Sequence, residues 1–124
     1  MIEIEFRNTS GLTVDEAAVA EACRLVLAAE GVDAGDLGIC FASPEEIRTL
    51  KREHLGIDEA TDVLSFPIDG RNELPAGPPR QLGDVVLCPE VVGERWRGPL
   101  IHGLLHLLGF EHGEEMARRE EKHT

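Results

Sequence analysis

The stretch GPLIHGLLHLLGFEH, residues 98–112, is the most apolar part of this chain. Proline is common in the first turn of a helix, so Pro99 marks where a helix begins. Gly109 marks where it ends, because glycine readily adopts the left-handed conformation that closes a helix. The pattern therefore predicts a buried helix over residues 100–108.

Three histidines interrupt this apolar stretch. His102 and His106 are four residues apart, so their side chains lie on one face of the helix, one turn apart. His112 follows the glycine turn, from which its imidazole can reach the same point. A lone histidine in an apolar helix is usually a hydrogen-bonded core residue, whereas three imidazoles with an open fourth position are typical of a catalytic zinc site. Three imidazoles also suit iron, nickel or copper, so the sequence does not decide the metal. His54 and His123 lack this context, and we predict that both are solvated.

The histidine spacing, H-x-x-x-H-x-x-G-x-x-H, is also that of the metzincin proteases. In those enzymes a glutamate follows the first histidine and acts as the general base, and here that position is Gly103. Glycine cannot accept the proton. Zinc by itself lowers the pKa of a bound water to about 7, so hydrolysis by a zinc-activated water does not require the glutamate.

The rest of the chain predicts strands alternating with helices. Period-two apolar alternation indicates strands, and capping residues followed by helical periodicity indicate helices. We therefore expect one domain over residues 1–124 with an α+β fold, a small mixed four-stranded sheet with helices packed on it. The predicted elements are strands at 2–6, 37–41, 63–66 and 85–88, helices from N-cap Thr13 to Gly31, from N-cap Ser43 to Glu53 and at 90–96, a weakly held final helix at 114–122, and a surface loop at 67–81.

Composition limits the classes of function. The chain has 24 acidic and 12 basic residues, a formal charge of −12, which argues against broad affinity for nucleic acids or anionic membranes but not against a local basic groove. Its three cysteines form no C-x-x-C pair, so we expect simple burial and no disulfide framework. The amino terminus lacks a signal-peptide pattern, and the longest apolar run is too short to cross a membrane. We expect a cytoplasmic protein.

Three motifs in this chain resemble those of the bacterial YbeY endoribonucleases. HGLLHLLGFEH at 102–112 resembles the family signature H-G-x-L-H-L-x-G-[YF]-[DE]-H, ATDVLSFP at 60–67 resembles P-T-[DN]-V-L-S-F-P, and LGDVVLCPEVV at 82–92 resembles L-G-D-[IV]-x-[IL]-C-x-E-V. The resemblance implies a zinc-dependent, single-strand-specific endoribonuclease. It would mature the 3′ end of small-subunit ribosomal RNA and act in ribosome quality control.

The same resemblance implies a fold related to the zincin metalloproteases, with zinc (Zn2+) on the three histidines of the motif. The implied partners are single-stranded RNA, ribosomal RNA and the ribosomal small subunit, with no membrane and no DNA. This chain departs from the family where Leu55 replaces an arginine and Lys51 an asparagine. Arg48 or Arg52, one or two helical turns earlier, are our candidates to supply the missing charge.

Further candidates surround these motifs. Asp84 is a candidate to orient a metal-bound water or an imidazole, or else it caps local backbone. Glu111, beside His112, is a second candidate base. Ser65 and Thr61 are candidates to line the cleft, although strand hydroxyls are more often simply hydrogen-bonded.

Arg95, Trp96 and Arg97 form the basic-aromatic cluster of the sequence. Guanidinium groups and an indole suit contact with phosphates and stacking on unpaired bases. In the alternative interpretation, Trp96 packs inward and the arginines are solvated.

Three functions follow from these patterns. The first is a metal-dependent single-strand endoribonuclease. The second is a metallopeptidase, against which Gly103 argues. The third is a non-catalytic, ribosome-associated module whose zinc stabilises the fold. An open coordination position argues against it, and the missing arginine argues for it.

Overall fold

A computed structural model describes residues 1–69 and 80–123 of the chain. It confirms the α+β fold, because four strands form one mixed sheet with helices on both of its faces. The elements are β1 (Ile2–Asn8), α1 (Glu16–Ala29), β2 (Gly35–Phe41), α2 (Pro44–Leu55), β3 (Val63–Pro67), β4 (Gln81–Leu87), α3 (Pro89–Val92), a 3₁₀ turn (Gly93–Arg95), α4 (Arg97–Leu107) and α5 (Glu114–His123).

The sheet has the strand order β1-β2-β4-β3. The first three strands of that order are parallel, and β3 runs antiparallel to β4. The β2–β4 register shifts between Asp36 and Leu37. Of the predicted surface loop at 67–81, Pro67 and Gln81 belong to strands, and residues 70–79 lie outside the described part.

The main core lies between the sheet and helices α1 and α4. α4 is buried because its leucines pack against β3, β4 and α1, and Leu100, Leu104 and Leu105 have no exposed surface. On the opposite face of the sheet, Ile47 of α2 anchors a smaller core with Leu64 of β3. The histidine-bearing helix is therefore a buried element held by the sheet and by α1.

Helix boundaries differ from the expected ones in several places, and the helix expected at 90–96 is the short α3 followed by the 3₁₀ turn. α1 is capped by Asp15, whose carboxylate accepts a hydrogen bond from Ala18 N at 3.0 Å, and not by Thr13. α4 begins at Arg97, before Pro99. A proline is tolerated there because the first four N–H groups of a helix have no intrahelical partner. The capping box of Ser43 is confirmed.

The prediction of a weakly held final helix with a solvated His123 is wrong. The carboxylate of Glu30, at the end of α1, is fully buried and lies 2.6 Å from Arg119 Nη1 and 2.8 Å from His123 Nε2. A buried charge requires partners, and α5 supplies them across 89 and 93 residues of sequence. Met116 is also buried against the main core. α5 is thus anchored to α1 and α4.

The three cysteines are free, with Cys23 and Cys88 buried and Cys40 half-buried. Burial raises the pKa of the Cys23 thiol to about 12, which makes it inert. Among residues 1–69 and 80–123, none of the helices has the length and apolar character needed to cross a bilayer.

Candidate metal centre

The imidazoles of His102, His106 and His112 converge. Nε2 of His102 lies 3.0 Å from Nε2 of His106, and one ligand atom from each of the three rings falls within 4.8 Å of the others. A tetrahedral zinc ion at about 2.0–2.1 Å from each nitrogen would hold these atoms roughly 3.3 Å apart. Small rotations of the rings reach that spacing, so the three residues fit such an ion.

The turn after α4 brings His112 to the other two histidines. Gly109 has a φ of 94°, its N–H donates to His106 O at 3.0 Å, and Phe110 N–H donates to Leu105 O at 3.1 Å. These two bonds form a Schellman motif, which reverses the chain at a helix end. The sequence expectation for Gly109 is confirmed.

The surroundings of His106 favour its neutral imidazole, the form that binds a metal. Burial lowers the pKa of His106, and the positive charges of His102 and His112 lower it further. On the far side of the ring, His102 Nδ1 lies 3.4 Å from Oε1 of Glu120 in α5. This contact leaves Nε2 of His102 directed at His106, which is the arrangement that a carboxylate imposes on a metal-binding histidine. The sequence does not predict Glu120 at this site, because nothing in the polar pattern of α5 points to His102.

Gly103 faces the sheet and not the histidines. A Cβ atom at this position would lie 2.9 Å from Val85 Cγ1, 3.1 Å from Ser65 Oγ and 3.2 Å from Val63 Cγ2. The site therefore has no room for the metzincin glutamate at this position. Glycine here permits close packing of α4 on β3 and β4.

The three histidines border an open cleft of about 870 Å³ between α2, β3, α4 and α5. Thr61 and Glu111 also border this cleft, and Glu111, the candidate base, is exposed. Ser65 borders it too, but its hydroxyl donates a hydrogen bond to Gly103 O at 3.1 Å. This hydrogen bond joins β3 to α4, so Ser65 fits a structural role. His54, also at the cleft, is exposed and packs edge-on against Phe66.

Asp84 lies away from the histidines, contrary to its proposed place beside the metal. Val85 packs toward α4, and side chains alternate along a strand, so Asp84 lies on the α2 face of the sheet. There its carboxylate covers Gly38 and borders a separate cavity with Glu5. A carboxylate on that face cannot orient a ligand held by α4.

The proposed charge donors Arg48 and Arg52 also lie outside the cleft lining. Both side chains are exposed and face Asp58, at 2.7 Å from Arg48 Nε and 3.8 Å from Arg52 Nη1. The pKa of Asp58 is lowered by the hydrogen bond from Arg48. These two arginines therefore contact the segment that follows α2, at Asp58.

The basic-aromatic cluster is divided between core and surface. Trp96 is half-buried against the main core, as in the alternative interpretation, and the Arg97 guanidinium stacks 4.8 Å from its ring centre. Arg95 is exposed. None of the three lines the histidine cleft, so Trp96 does not offer a free stacking surface there.

Fold and site together define a small α+β protein with three converging histidines, a candidate metal centre, at the edge of an open cleft. The family model described as Endoribonuclease YbeY matches residues 3–123. The chain therefore belongs to the YbeY endoribonuclease family, as its motifs predicted.

Individual relatives support the same family assignment. The chain is 41% identical to "Endoribonuclease YbeY" of Beutenbergia cavernae, covering 94% of this chain and 87% of the relative. It is 34% identical to the protein of the same name from Mycolicibacterium paratuberculosis, covering 96% and 77%. The solution structure of TM1509 from Thermotoga maritima superposes with a TM-score of 0.62 over 99% of this chain and 86% of that one, at 24% identity, which supports the fold.

Proposed function

We propose that this protein is a single-strand-specific endoribonuclease that uses one zinc ion on His102, His106 and His112. The observation that carries the proposal is the convergence of three imidazoles at an open cleft in a member of an endoribonuclease family. The donor set is neutral nitrogen, which suits zinc, and it leaves a coordination position open.

When bound, zinc supplies a Lewis acid that polarises a phosphoryl oxygen and lowers the pKa of water. The chain's own residues then have distinct tasks. The carboxylate of Glu120 lies 3.4 Å from Nδ1 of His102, where it would favour a proton on that nitrogen and leave Nε2 free for the ion. Glu111, exposed at the cleft beside His112, remains our candidate to accept a proton from the attacking water.

We further propose that the substrate is ribosomal RNA, cut during maturation of the 3′ end of the small-subunit RNA and in ribosome quality control. The formal charge of −12 opposes tight binding of free RNA. The ribosomal small subunit would therefore act as the platform that delivers the strand. This partner places the activity in the cytoplasm.

The peptidase alternative loses support from the geometry of Gly103. A glutamate there would collide with Val85, Ser65 and Val63, so the general base of the metzincins has no counterpart at this position. Zinc-dependent RNA hydrolysis uses the same histidines without that base.

The test compares substrates. Zinc-loaded protein and a His106→Ala variant are incubated with single-stranded RNA, double-stranded RNA and an unfolded protein. We expect cleavage of single-stranded RNA alone, and only by the wild-type chain. Cleavage of the unfolded protein would favour a peptidase, and bound zinc without cleavage of any substrate would favour a non-catalytic module.

A further inference from the structure

Lys51 stands apart from the other basic residues of α2. It borders the same cleft as the three histidines, and its side chain is only 15% exposed. Among the described residues that line the cleft, it is the single lysine or arginine. The other charged side chains in that lining are acidic: Asp62, Glu111 and Glu120.

Helix geometry explains why Lys51 differs from its neighbours. Residues three and four apart share a helix face, so Lys51 lies with His54 and Leu55 on the face that borders the cleft. Arg48 and Arg52 pair with Asp58 on the exposed part of the helix. The positive charge that an RNA strand would meet in the cleft is therefore at position 51.

The ammonium of Lys51 is held by one exposed carboxylate. Its Nζ lies 2.9 Å from Oε1 of Glu59, whose side chain is 64% exposed. An ion pair with one partner in water contributes little net free energy, because the carboxylate regains its hydration when it is released. A phosphate oxygen is an equivalent acceptor for the same ammonium group. Exchange of one acceptor for the other is therefore easy.

We propose that Lys51 binds a phosphate of the RNA strand in the histidine cleft, and that Glu59 holds its ammonium until the phosphate displaces the carboxylate. The inference rests on the proposed RNA-cleaving function and adds the residue that binds the strand. It assigns to Glu59 an inhibitory role, since the carboxylate competes with RNA for one cation.

The test measures KM and kcat on a short single-stranded RNA with zinc-loaded protein at several salt concentrations. Lys51→Ala should raise KM roughly tenfold, the effect of losing a charged hydrogen bond. It should also reduce the slope of log KM against log salt by about 0.7, the value for one contact to single-stranded nucleic acid. Lys51→Arg should restore most of the affinity. Arg52→Ala, which removes the same charge from the exposed side of α2, is the matched control and should change KM less than twofold.

Glu59→Gln should lower KM, whereas Lys51→Ala should raise it, and a misfolded protein would not bind RNA more tightly. This decrease should be larger than that for Glu53→Gln, which removes the same charge from an exposed position of α2. In the Lys51→Ala background, the two glutamine substitutions should have equal effects. Equal KM values for Lys51→Ala and Arg52→Ala, or a Glu59→Gln effect that persists without Lys51, would overturn the inference alone. Absence of RNA cleavage by the wild-type protein would overturn the proposed function and the inference with it.

Discussion

His102 Nδ1 lies 3.4 Å from Oε1 of Glu120, so α5 contacts α4 at one of the three candidate metal ligands. The contact depends on the position of α5, which Arg119 and His123 set through the buried Glu30. The candidate metal centre is therefore supported by contacts of α4, α5 and the end of α1.

Glu120→Gln should weaken zinc binding. A carboxylate at this position orients the His102 ring and increases its basicity. Loss of such a partner typically lowers metal affinity by roughly 10–100-fold. Competition with a chromophoric chelator measures the change. Glu114→Gln, an exposed substitution in the same helix, is the control. Equal zinc affinities for the two variants would remove Glu120 from the centre.

Arg119→Ala should lower both stability and zinc affinity. Removal of one partner of a buried charge costs about 3 kcal/mol or more in stability. We expect the lower value, because His123 still pairs with the carboxylate of Glu30. Denaturant unfolding and chelator competition measure the two effects. Arg118→Ala removes only an exposed pair with Glu115 and should change neither. A stable Arg119→Ala protein with reduced zinc affinity would show that α5 moves without unfolding the core.

Gly103→Ala should destabilise the fold by about 1–3 kcal/mol, since an added methyl group crowds Val85, Ser65 and Val63. The matched control is Gly98→Ala in the same helix, where a Cβ meets nothing within 4 Å. Alanine has the better helix propensity, so this control should be neutral or slightly stabilising. Thermal unfolding compares the two. Similar melting temperatures would mean that α4 can shift away from the sheet.

The capping box of α2 should make stability depend on pH. The backbone N–H of Ser43 is the main cause that lowers the pKa of Glu46, followed by the Thr9 side chain. The ionised form therefore stabilises the fold above the ordinary pKa of 4.5, and this contribution is lost as the pH falls through the lower pKa of the folded state. Glu46→Gln keeps an acceptor oxygen that does not titrate. The stability difference between the wild-type protein and Glu46→Gln should shrink as the pH falls from above 4.5 through the lower pKa of the folded state. A constant difference would mean that the carboxylate charge contributes nothing.

Local sequence patterns predicted much of the fold and the centre of the site. The i, i+4 histidines, Gly109 and the Ser43 capping box all act within a few residues, so their geometry follows from helix periodicity and backbone preference. Asp84 shows the limit, because a strand places alternate residues on opposite faces and the sequence does not say which face α4 covers.

Other contacts required tertiary packing. Glu120 and His102 are brought together by the fold, as are Glu30 and His123, and no local pattern links them. Lys51 was noted only as a departure from the family. Its place in the cleft follows from which face of α2 packs on the sheet.

The most direct test of the central claim is a zinc titration of metal-stripped protein, read out as cleavage of a single-stranded RNA oligonucleotide. We expect no cleavage without metal, a rise that saturates at about one zinc per chain, and no rise for His106→Ala. Full cleavage by the metal-stripped protein, or by the His106→Ala variant, would contradict the claim that the three histidines hold the catalytic ion.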